Sequence, residues 1–426
     1  MDERTPLHLF EGFGIELEYM VVARDSLSIA PIADRILEAV TGEFTDVEDG
    51  EIAWSNELVL HVIELKTNGP AGRLTPLPKL FQADVQRING ILEPLGARLM
   101  PTAMHPWMDP ARETRLWPHD YSPVYEAFDR IFGCSGHGWS NLQSTHLNLP
   151  FGNDEEFGRL HAAIRVVLPI LPALAASSPV FEGRASGILD NRLEFYRNNS
   201  RRVPAVAGQV IPERADTRHA YEQEILERVY EGLAPFDPDG ILRYEWSNAR
   251  GAIARFDRDA IEIRVLDIQE CPWADLAVVA AIVSVLRGLI DERWVPLDTV
   301  RKWPGDPLAA LFRTTLRDAE VSRIDDAGFL GLFGFPGTGA TARELWSHLV
   351  HQTLLSTPDG EVWREPVELI LEQGPLARRI LRRLGVSEGG EGPTPAVEPG
   401  VVAKERIAEV YGELCACLAE GRLFRA

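Results

Sequence analysis

The segment GIELEYMVV, residues 14–22, decides the fold because it alternates core-forming side chains with acidic ones. Successive side chains of a β-strand point to opposite faces of the sheet. Ile15 and Leu17 therefore lie on a face that packs in a core, and Glu16 and Glu18 share the other face, about 6–7 Å apart. Carboxylates at that distance repel each other unless a positive charge lies between them. The segment predicts a strand whose polar face needs a cation.

Three further segments pair an apolar face with a face of carboxylate, imidazole or guanidinium: NELVLHVIELKT, STHLNLPF and DAIEIRVLD. Their polar residues are Glu57, Glu64, His146, Asn148, Glu262 and Arg264. Such a face cannot pack unpaired in a core, but it can line a cavity that holds hard divalent cations. Mg²⁺ and Mn²⁺ prefer carboxylate oxygens with an occasional imidazole. The joint occurrence of this pattern in four strands indicates a divalent metal site.

Each pattern taken alone has a simpler structural explanation. Alternating glutamates are typical of a solvated sheet face, and a glutamate two residues from an arginine is typical of a cross-strand salt bridge. Glu57 and Glu64 are also an odd number of residues apart, so a regular strand would point them to opposite faces. Either Glu57 lies in the loop before the strand, or a bulge changes the register.

Composition restricts the class of protein. The chain has 426 residues, of which 45% are hydrophobic and 25% charged, and its formal net charge is -21. This length favours one large domain or two coupled domains. The negative charge disfavours nonspecific binding to nucleic acid or membranes, and we identify neither a signal peptide nor an apolar run of transmembrane length. The four cysteines are typical of reduced thiols, so we expect a cytoplasmic protein.

Hydrophobic periodicity predicts a mostly antiparallel or mixed sheet assembled from distant segments, with helices around it. The predicted strands are 14–22, 58–66, 97–105, 144–149 and two strands that meet at a turn around 257–259. The predicted helices are 76–94, 154–175, 216–233, 274–292, 341–356, 364–384 and 402–421, with a linker at 389–400. We expect residues 1–295 to form the catalytic core and residues 296–426 a mostly helical part packed on it as one unit.

The four strand segments resemble the metal-binding strands of the glutamate–cysteine ligase (γ-glutamylcysteine synthetase) family, in its carboxylate–amine ligase branch. The segment LPILPALAASSPVFEGRASGILDNR, residues 168–192, resembles the same branch. In that branch a helix ending in Ser-Ser-Pro is followed by Gly-Arg and a second Arg. The match covers about residues 12–290. It implies an α+β fold: a glutamine-synthetase-like antiparallel or mixed sheet funnel with surrounding helices and a helical C-terminal part.

The resemblance also implies metal ligands. The matching residues are Glu16, Glu18, Glu57, Glu64, His146 and Glu262. By this resemblance, Glu18 and Glu64 share one ion. Glu16, His146 and Glu262 share a second, which bridges the ATP phosphates. Glu57 holds a third together with Glu16 and Glu262.

Arginines of the matching region are the candidates for binding phosphate and carboxylate. Arg264 matches the arginine that faces the transferring phosphoryl group, so we expect it to be catalytic. The substrate-binding candidates are Arg192, Arg184, Asn148, Trp246, Arg250 and Arg255. Planar guanidinium groups suit bidentate binding of carboxylate or phosphate, although each arginine could equally lie on the surface.

The reaction implied by the resemblance is an ATP-dependent ligation. ATP phosphorylates a carboxylate, usually the γ-carboxylate of glutamate, and an amine then attacks the acyl phosphate to form an amide. The implied cofactor is Mg²⁺ or Mn²⁺, with ATP as co-substrate. The implied partners are small molecules, with cysteine as the commonest acceptor and glutathione biosynthesis as the setting.

The sequence leaves the acceptor and the reaction class open. The segment after Arg192, LEFYRNNSRRVPAV, does not match a cysteine pocket, so the acceptor can be another amino acid, an amine or a peptide. The sequence is also compatible with a guanidino-kinase-like phosphotransferase and with an inactive scaffold that keeps the fold. Whether the chain forms a homo-oligomer is open as well.

Overall fold

The computed structural model describes residues 6–386, 388–389, 396–397 and 399–426. The linker predicted at 389–400 lies largely outside these residues. Within them the chain forms a seven-stranded sheet with all strand pairs antiparallel, surrounded by helices. This architecture confirms the predicted α+β class.

The secondary structure elements are numbered in chain order. The strands are β1 Gly14–Ala23, β2 Ile52–Asn56, β3 Val62–Thr67, β4 Ala97–Met100, β5 Ser144–Pro150, β6 Val180–Phe181, β7 Arg184–Ala185, β8 Ala252–Arg255, β9 Ala260–Asp267, β10 Arg323–Ile324, β11 Ala340–Thr341, β12 Glu388–Gly389, β13 Ala396–Val397 and β14 Gly400–Val401. The helices are α1 Ala33–Thr41, α2 Leu77–Leu92, α3 Pro110–Glu113, α4 Ser122–Phe132, α5 His137–Ser140, α6 Asp154–Val167, α7 Pro172–Ala175, α8 Asn191–Asn199, α9 Arg218–Tyr221, α10 Glu227–Leu233, α11 Pro272–Ile290, α12 Leu297–Arg301, α13 Gly305–Asp318, α14 Ala327–Leu332, α15 Ala342–Thr353, α16 Gly360–Gln373, α17 Leu376–Leu384 and α18 Lys404–Glu420.

Strand β1 lies in the middle of the large sheet. The strand order is β2-β3-β1-β5-β9-β8, and β4 pairs with the last residues of β1. The alternation of β1 explains this position, since Ile15, Leu17, Tyr19 and Val21 are fully buried in the main core. That face of the sheet packs against helices, and the opposite face carries the acidic residues.

Helix α11 is the most apolar helix of the core. Its 19 residues, Pro272–Ile290, have a mean hydropathy of 1.9, which by length and composition alone is enough to cross a membrane. However, 83% of the residues in the most apolar 18-residue stretch of this helix are buried inside the protein. The expectation that the chain holds no apolar run of this length was wrong, and the burial is typical of a core helix of a soluble fold.

The C-terminal helices pack on the far end of the polar face of the sheet. Met20 and Val22, which follow Glu16 and Glu18 on that face, lie in one apolar cluster with Ile380 of α17. The same cluster holds residues of α18 and β4. The sheet face that carries Glu16 and Glu18 therefore has apolar side chains at its other end, where α17 and α18 cover it. The division of the chain at residue 295 stays a prediction.

Several predicted boundaries differ from the structure for local reasons. The strand predicted at 58–66 begins only at Val62, because the preceding residues form a turn. The strand predicted at 97–105 ends before Pro101, which has no N–H for a ladder. The helix predicted at 364–384 is two helices, separated at Gly374 with φ +84° and at Pro375. Strand β2 and helices α1, α4, α8 and α13 were not predicted.

Candidate active site

Strand pairing brings the acidic residues of distant segments together on one face. In β1, Glu16 lies opposite His146 of β5, and Glu18 lies opposite Glu64 of β3. Glu262 of β9 lies opposite Asn148 of β5. A bulge in β5 between Thr145 and Leu147 changes the register at His146. The four polar faces expected from the sequence therefore form one continuous surface.

The first group of possible metal ligands is centred on His146. Its Nδ1 lies 2.7 Å from Glu16 Oε2 and 3.8 Å from Glu262 Oε1. Asn148 Nδ2 donates a hydrogen bond of 3.1 Å to the other oxygen of Glu16. One ligand atom from each of Glu16, His146 and Glu262 lies within 4.8 Å of the others. The three side chains expected to share the second ion therefore lie close enough to hold one, and their role as ligands stays a prediction.

The second group comprises Glu18, Glu64 and His146, whose ligand atoms also lie within 4.8 Å of one another. Ser144 donates to Glu18 Oε2 from its backbone N–H at 2.6 Å and from its hydroxyl at 2.9 Å. Ser55 donates to Glu64 Oε1 at 2.7 Å. These bonds hold the carboxylates in place. His146 belongs to both groups, whereas the resemblance assigned it to one.

Glu57 lies outside both groups of ligands. It follows the last residue of β2 and precedes the turn into β3, so it lies in the loop before the strand, as one of the two interpretations expected. Burial, together with the negative charges of Glu18 and Glu64, raises the pKa of Glu57 well above its ordinary value. Its carboxyl therefore faces the carboxylates of the second group. Its role as a ligand of a third ion stays a prediction.

The pKa values show that the acidic charge is unevenly compensated. Burial opposes ionisation of Glu16, but the hydrogen bond and the charge of His146 lower the Glu16 pKa to about 2. Burial likewise opposes protonation of His146, but Glu16 and the neighbouring carboxylates raise its pKa to about 9. Burial and the charge of Glu16 raise the pKa of Glu64 to about 7, although Lys66 opposes this. Negative charge is thus in excess around Glu57 and Glu64.

The donor set fits Mg²⁺ or Mn²⁺. Oxygen ligands dominate, one imidazole is present, and no thiol lies among them. Burial and repulsion between neighbouring carboxylates raise the pKa values of both Glu57 and Glu64. A divalent cation bound among these carboxylates would neutralise them and remove the repulsion.

Arg264 borders the first group on β9. Its Nε lies 2.8 Å from Glu262 Oε1, and about a quarter of its side chain is exposed. Arg255 of β8 approaches Glu262 from the other side, with Nη1 3.3 Å from Oε2, and also pairs with Asp257. Both guanidinium groups therefore flank the carboxylate of Glu262 next to the metal-ligand cluster.

Two cavities lie on either side of the acidic cluster. The first cavity, of about 580 Å³, is lined by Glu16, Lys66, Asn148, Arg258 and apolar residues such as Leu7 and Pro70. The second cavity, of about 600 Å³, is lined by Glu18, Glu57, His146, Arg192, Arg264 and many aromatic side chains. The ligand cluster thus separates two spaces, each large enough for a small-molecule substrate.

The predicted substrate-binding residues are distributed unequally. Trp246 and Arg192 line the second cavity, and Asn148 lines the first. Arg192 is buried, with Nε 2.5 Å from Asp267 Oδ1. Arg250 is buried in a pair with Glu213 and lines neither cavity. Arg184 is exposed on β7, also outside both cavities, so the structure does not bring these last two arginines to the site.

Sequence analysis missed several residues of the site. Ser55, Lys66 and Ser144 lie on the polar face, and strand alternation could have identified Lys66 and Ser144, because each is two residues from a predicted ligand. Apart from Trp246, which was predicted, the aromatic residues of the second cavity come from α4 and the residue before it, from α5 and α8, and from the loop before β8, and no local pattern marks them.

Comparisons with known proteins agree with the geometry. The sequence model of glutamate-cysteine ligase family 2 matches residues 12–411. An uncharacterized protein from Archaeoglobus fulgidus is 37% identical over 401 residues, which cover 94% of this chain and 96% of that protein. A protein from Rubrobacter xylanophilus, provisionally named glutamate–cysteine ligase 2-3, is 26% identical over 43% of this chain and 47% of its own length.

A solved structure has a similar fold. The crystal structure of glutamate–cysteine ligase from Francisella tularensis in complex with AMP has a TM-score of 0.60 at 11% identity. The similarity covers 95% of this chain and 88% of that one. At this identity the comparison concerns the fold alone.

Proposed function

This chain belongs to glutamate-cysteine ligase family 2 and is an ATP-dependent ligase, and we propose that it joins the γ-carboxylate of glutamate to an amine. The γ-phosphate of ATP passes to a γ-carboxylate oxygen and ADP leaves. The amine nitrogen then attacks the carbonyl carbon of this acyl phosphate, and phosphate leaves as the amide forms. Cysteine is the first acceptor to test, because the named relatives are glutamate–cysteine ligases.

One observation carries the proposal: the cluster of carboxylates and His146 lies between two cavities that both open on it. A phosphoryl group that moves from ATP to a carboxylate needs neutralisation from both sides. We assign ATP to the first cavity, where Lys66 and Arg258 supply positive charge beside an apolar lining. We assign glutamate and the amine to the second cavity, beside Arg264.

Two sites could hold Mg²⁺ or Mn²⁺. Glu16, His146 and Glu262 would form the first, and Glu18, Glu64 and His146 would form the second. Bound there, the cations would neutralise the phosphates and the carboxylates that repel one another. Ser144 and Ser55 keep the carboxylate oxygens of Glu18 and Glu64 oriented through their hydrogen bonds.

Side chains of the second cavity have separate roles in this proposal. Arg264 donates hydrogen bonds to the equatorial oxygens of the moving phosphoryl group, where charge develops. Glu57 lines the same cavity, and the attacking amine loses its proton to solvent. The four cysteines are free and buried, and we place the reaction in the cytoplasm, where thiols stay reduced.

An isotope experiment tests the phosphoryl acceptor. With ¹⁸O in both γ-carboxylate oxygens of glutamate, we expect one label in the released phosphate and the other in the amide. Unlabelled phosphate would mean that water or the enzyme accepts the phosphoryl group. Labelled AMP would mean adenylation of the carboxylate. Hydroxylamine provides a second test, because it traps an acyl phosphate as γ-glutamyl hydroxamate.

A further inference from the structure

The second cavity is unusually rich in aromatic side chains for a site that accepts cysteine. Its ring-bearing lining residues, apart from His146, are Tyr121, Tyr125, Phe128, Trp139, Tyr196, Tyr244 and Trp246. Leu58, Val59, Val62, Val124, Leu142 and Val206 add aliphatic surface. Of the charged lining residues, Glu18 and Arg264 lie on strands of the sheet, Glu57 in the loop before β3 and Arg192 on α8. A thiol side chain would leave most of this apolar surface without a contact.

The rings form a continuous wall opposite the sheet. The ring of Phe128 lies 5.3 Å from that of Trp139 and 5.9 Å from that of Trp246, measured between centroids. Tyr244 stacks on Trp246 at 5.4 Å with an interplanar angle of 10°. Packing between rings fixes their orientation, so the wall is a preformed surface for a further ring.

Two of these rings are exposed at the mouth of the cavity. Tyr121 is 64% exposed and Tyr244 is 57% exposed. Among the described residues they are the only exposed aromatic side chains, and both line the same cavity. Exposed apolar surface gathered at one site is typical of a ligand-binding surface.

The cations of this cavity are already engaged. Among its described lining residues the cations other than His146 are Arg192 and Arg264. Arg192 donates to Asp267 Oδ1 and, from both terminal nitrogens, to the carbonyl oxygen of Arg264. In the proposed reaction the remaining N–H groups of Arg192 and Arg264 serve the α-carboxylate of glutamate and the phosphoryl group. A carboxylate on the acceptor would then lie near Glu57 without an arginine of its own.

We propose that the acceptor is a primary amine that carries an aromatic ring and has no carboxylate next to its nitrogen. This inference rests on the proposed function and specifies its second substrate. The ring packs against the wall of Phe128, Trp246 and Tyr244. The ammonium group enters beside the aromatic faces, which attract a cation.

The bond changes follow from the acyl phosphate. The ammonium first loses one proton to solvent, which frees its electron pair. The nitrogen forms a bond to the γ-carbonyl carbon, and the bond from this carbon to the phosphate oxygen breaks with its electron pair on phosphate. The nitrogen then loses a second proton to solvent, which leaves a neutral secondary amide.

Matched acceptors provide the test. Product masses and ADP release are measured with glutamate, ATP and Mg²⁺ for phenethylamine, phenylalanine, ethylamine and cysteine. We expect kcat/KM for phenethylamine to exceed that for phenylalanine by about 10²-fold or more, because the two differ only in the carboxylate. We expect it to exceed that for ethylamine by about 10–200-fold, because only one carries a ring. Equal or better use of phenylalanine or cysteine would overturn the inference.

Variants at the mouth of the cavity supply a second, independent measurement. Tyr244→Ala should lower kcat/KM for phenethylamine about 3–10-fold more than it lowers kcat/KM for ethylamine. Leu95→Ala is the matched control, since Leu95 is 50% exposed outside the cavity and should leave both values unchanged. An equal effect of Tyr244→Ala on both amines would contradict the assignment of the ring to this wall.

Failure of the inference and failure of the proposed function give different results. Glutamate-dependent formation of γ-glutamyl hydroxamate with hydroxylamine, without preference for phenethylamine, would overturn the acceptor class alone. Absence of both the hydroxamate and glutamate-dependent ADP release would overturn the proposed function, and the acceptor class with it.

Discussion

Two regions of this molecule that hold buried charge differ in how that charge is compensated. In the C-terminal part, Arg379 of α17 lies 2.5 Å from Glu270, and both side chains are fully buried. The backbone N–H of Phe424 donates to the same carboxylate at 3.2 Å. On the sheet face, by contrast, burial and neighbouring carboxylates raise the pKa values of Glu57 and Glu64.

The difference separates a structural role from a binding role. The pair of Arg379 and Glu270 satisfies its own charge, so it can connect the chain end to α17 without any ligand. The carboxylates around Glu64 repel one another in the protein alone, so they gain stability only when a cation binds. Four predictions test this contrast, beginning with the largest effect.

Removing charge from the sheet face should abolish activity without loss of stability. We expect the double variant Glu57→Gln, Glu64→Gln to lose activity by more than about 10³-fold, as for loss of groups that act on the transition state. Its melting temperature in EDTA should equal or exceed that of the wild type, because repulsion between carboxylates is relieved. Calorimetry and ADP-release assays check both values. A clear drop in melting temperature would show that these glutamates are structural.

Removing charge from the C-terminal pair should have the opposite result. Glu270→Gln leaves Arg379 buried without its counter-charge, which should cost about 3–5 kcal/mol in the free energy of unfolding. The matched control is Glu365→Gln in the exposed pair with Arg425, which should change this free energy by less than about 1 kcal/mol. Urea titrations measure both. Equal losses in the two variants would refute the contrast, and activity per folded molecule should stay unchanged in each.

Shape rather than charge should matter at Arg264. Arg264→Lys keeps the positive charge but loses the planar fork, so kcat should fall by about 10²-fold while KM for ATP changes little. Arg184→Lys is the control, because Arg184 is exposed outside both cavities and should leave both constants unchanged. Steady-state kinetics decide the outcome. A normal kcat with a raised KM would place Arg264 in ground-state binding of ATP.

The smallest effect concerns pH. The folded state raises the pKa of Glu64 from 4.5 to about 7, so in this range it binds more protons than the unfolded state. The stability of the protein in EDTA should therefore fall as pH rises from 4.5 to 7, by on the order of 1–3 kcal/mol.

A variant and added metal separate the causes of this pH dependence. Glu64→Gln should reduce the decline between pH 4.5 and 7, and the raised pKa of Glu57 should preserve part of it. The same variant should keep the decline in stability between pH 6.5 and 9, which comes from His146. Because the folded state raises the pKa of His146 to about 9, protonated His146 stabilises the fold fully below pH 6.5, and this stabilisation is lost as the pH rises through 9. Added Mg²⁺ should oppose the decline, since it binds the ionised carboxylates. Stability that rises with pH in EDTA would contradict the excess of negative charge. Chemical unfolding at several pH values measures the free energy of unfolding that these predictions concern.

The strands of the site could be predicted from the sequence because a strand carries its own signal. Alternation places Glu16 and Glu18 on one face and Ile15 and Leu17 on the other, whatever surrounds them. The same rule applies to His146 and Asn148, and to Glu262 and Arg264. These strand segments and the α+β class followed from the sequence and its family resemblance, and both are present in the structure.

Only the tertiary structure decided which side chains meet. The register of β1 against β3 and β5 places His146 between two carboxylate groups, and this register depends on pairing between segments that are distant in the sequence. Burial likewise decided that Arg250 binds Glu213 and that Arg184 stays exposed.

The second cavity depends even more on long-range packing. Its rings, such as Phe128, Trp139 and Trp246, come from separate helices and a loop, and they meet only after these elements pack on the sheet. The physical reason is the range of each effect. Side-chain alternation is local and belongs to the strand, whereas pairing register, desolvation and ring packing depend on neighbours that the fold alone supplies.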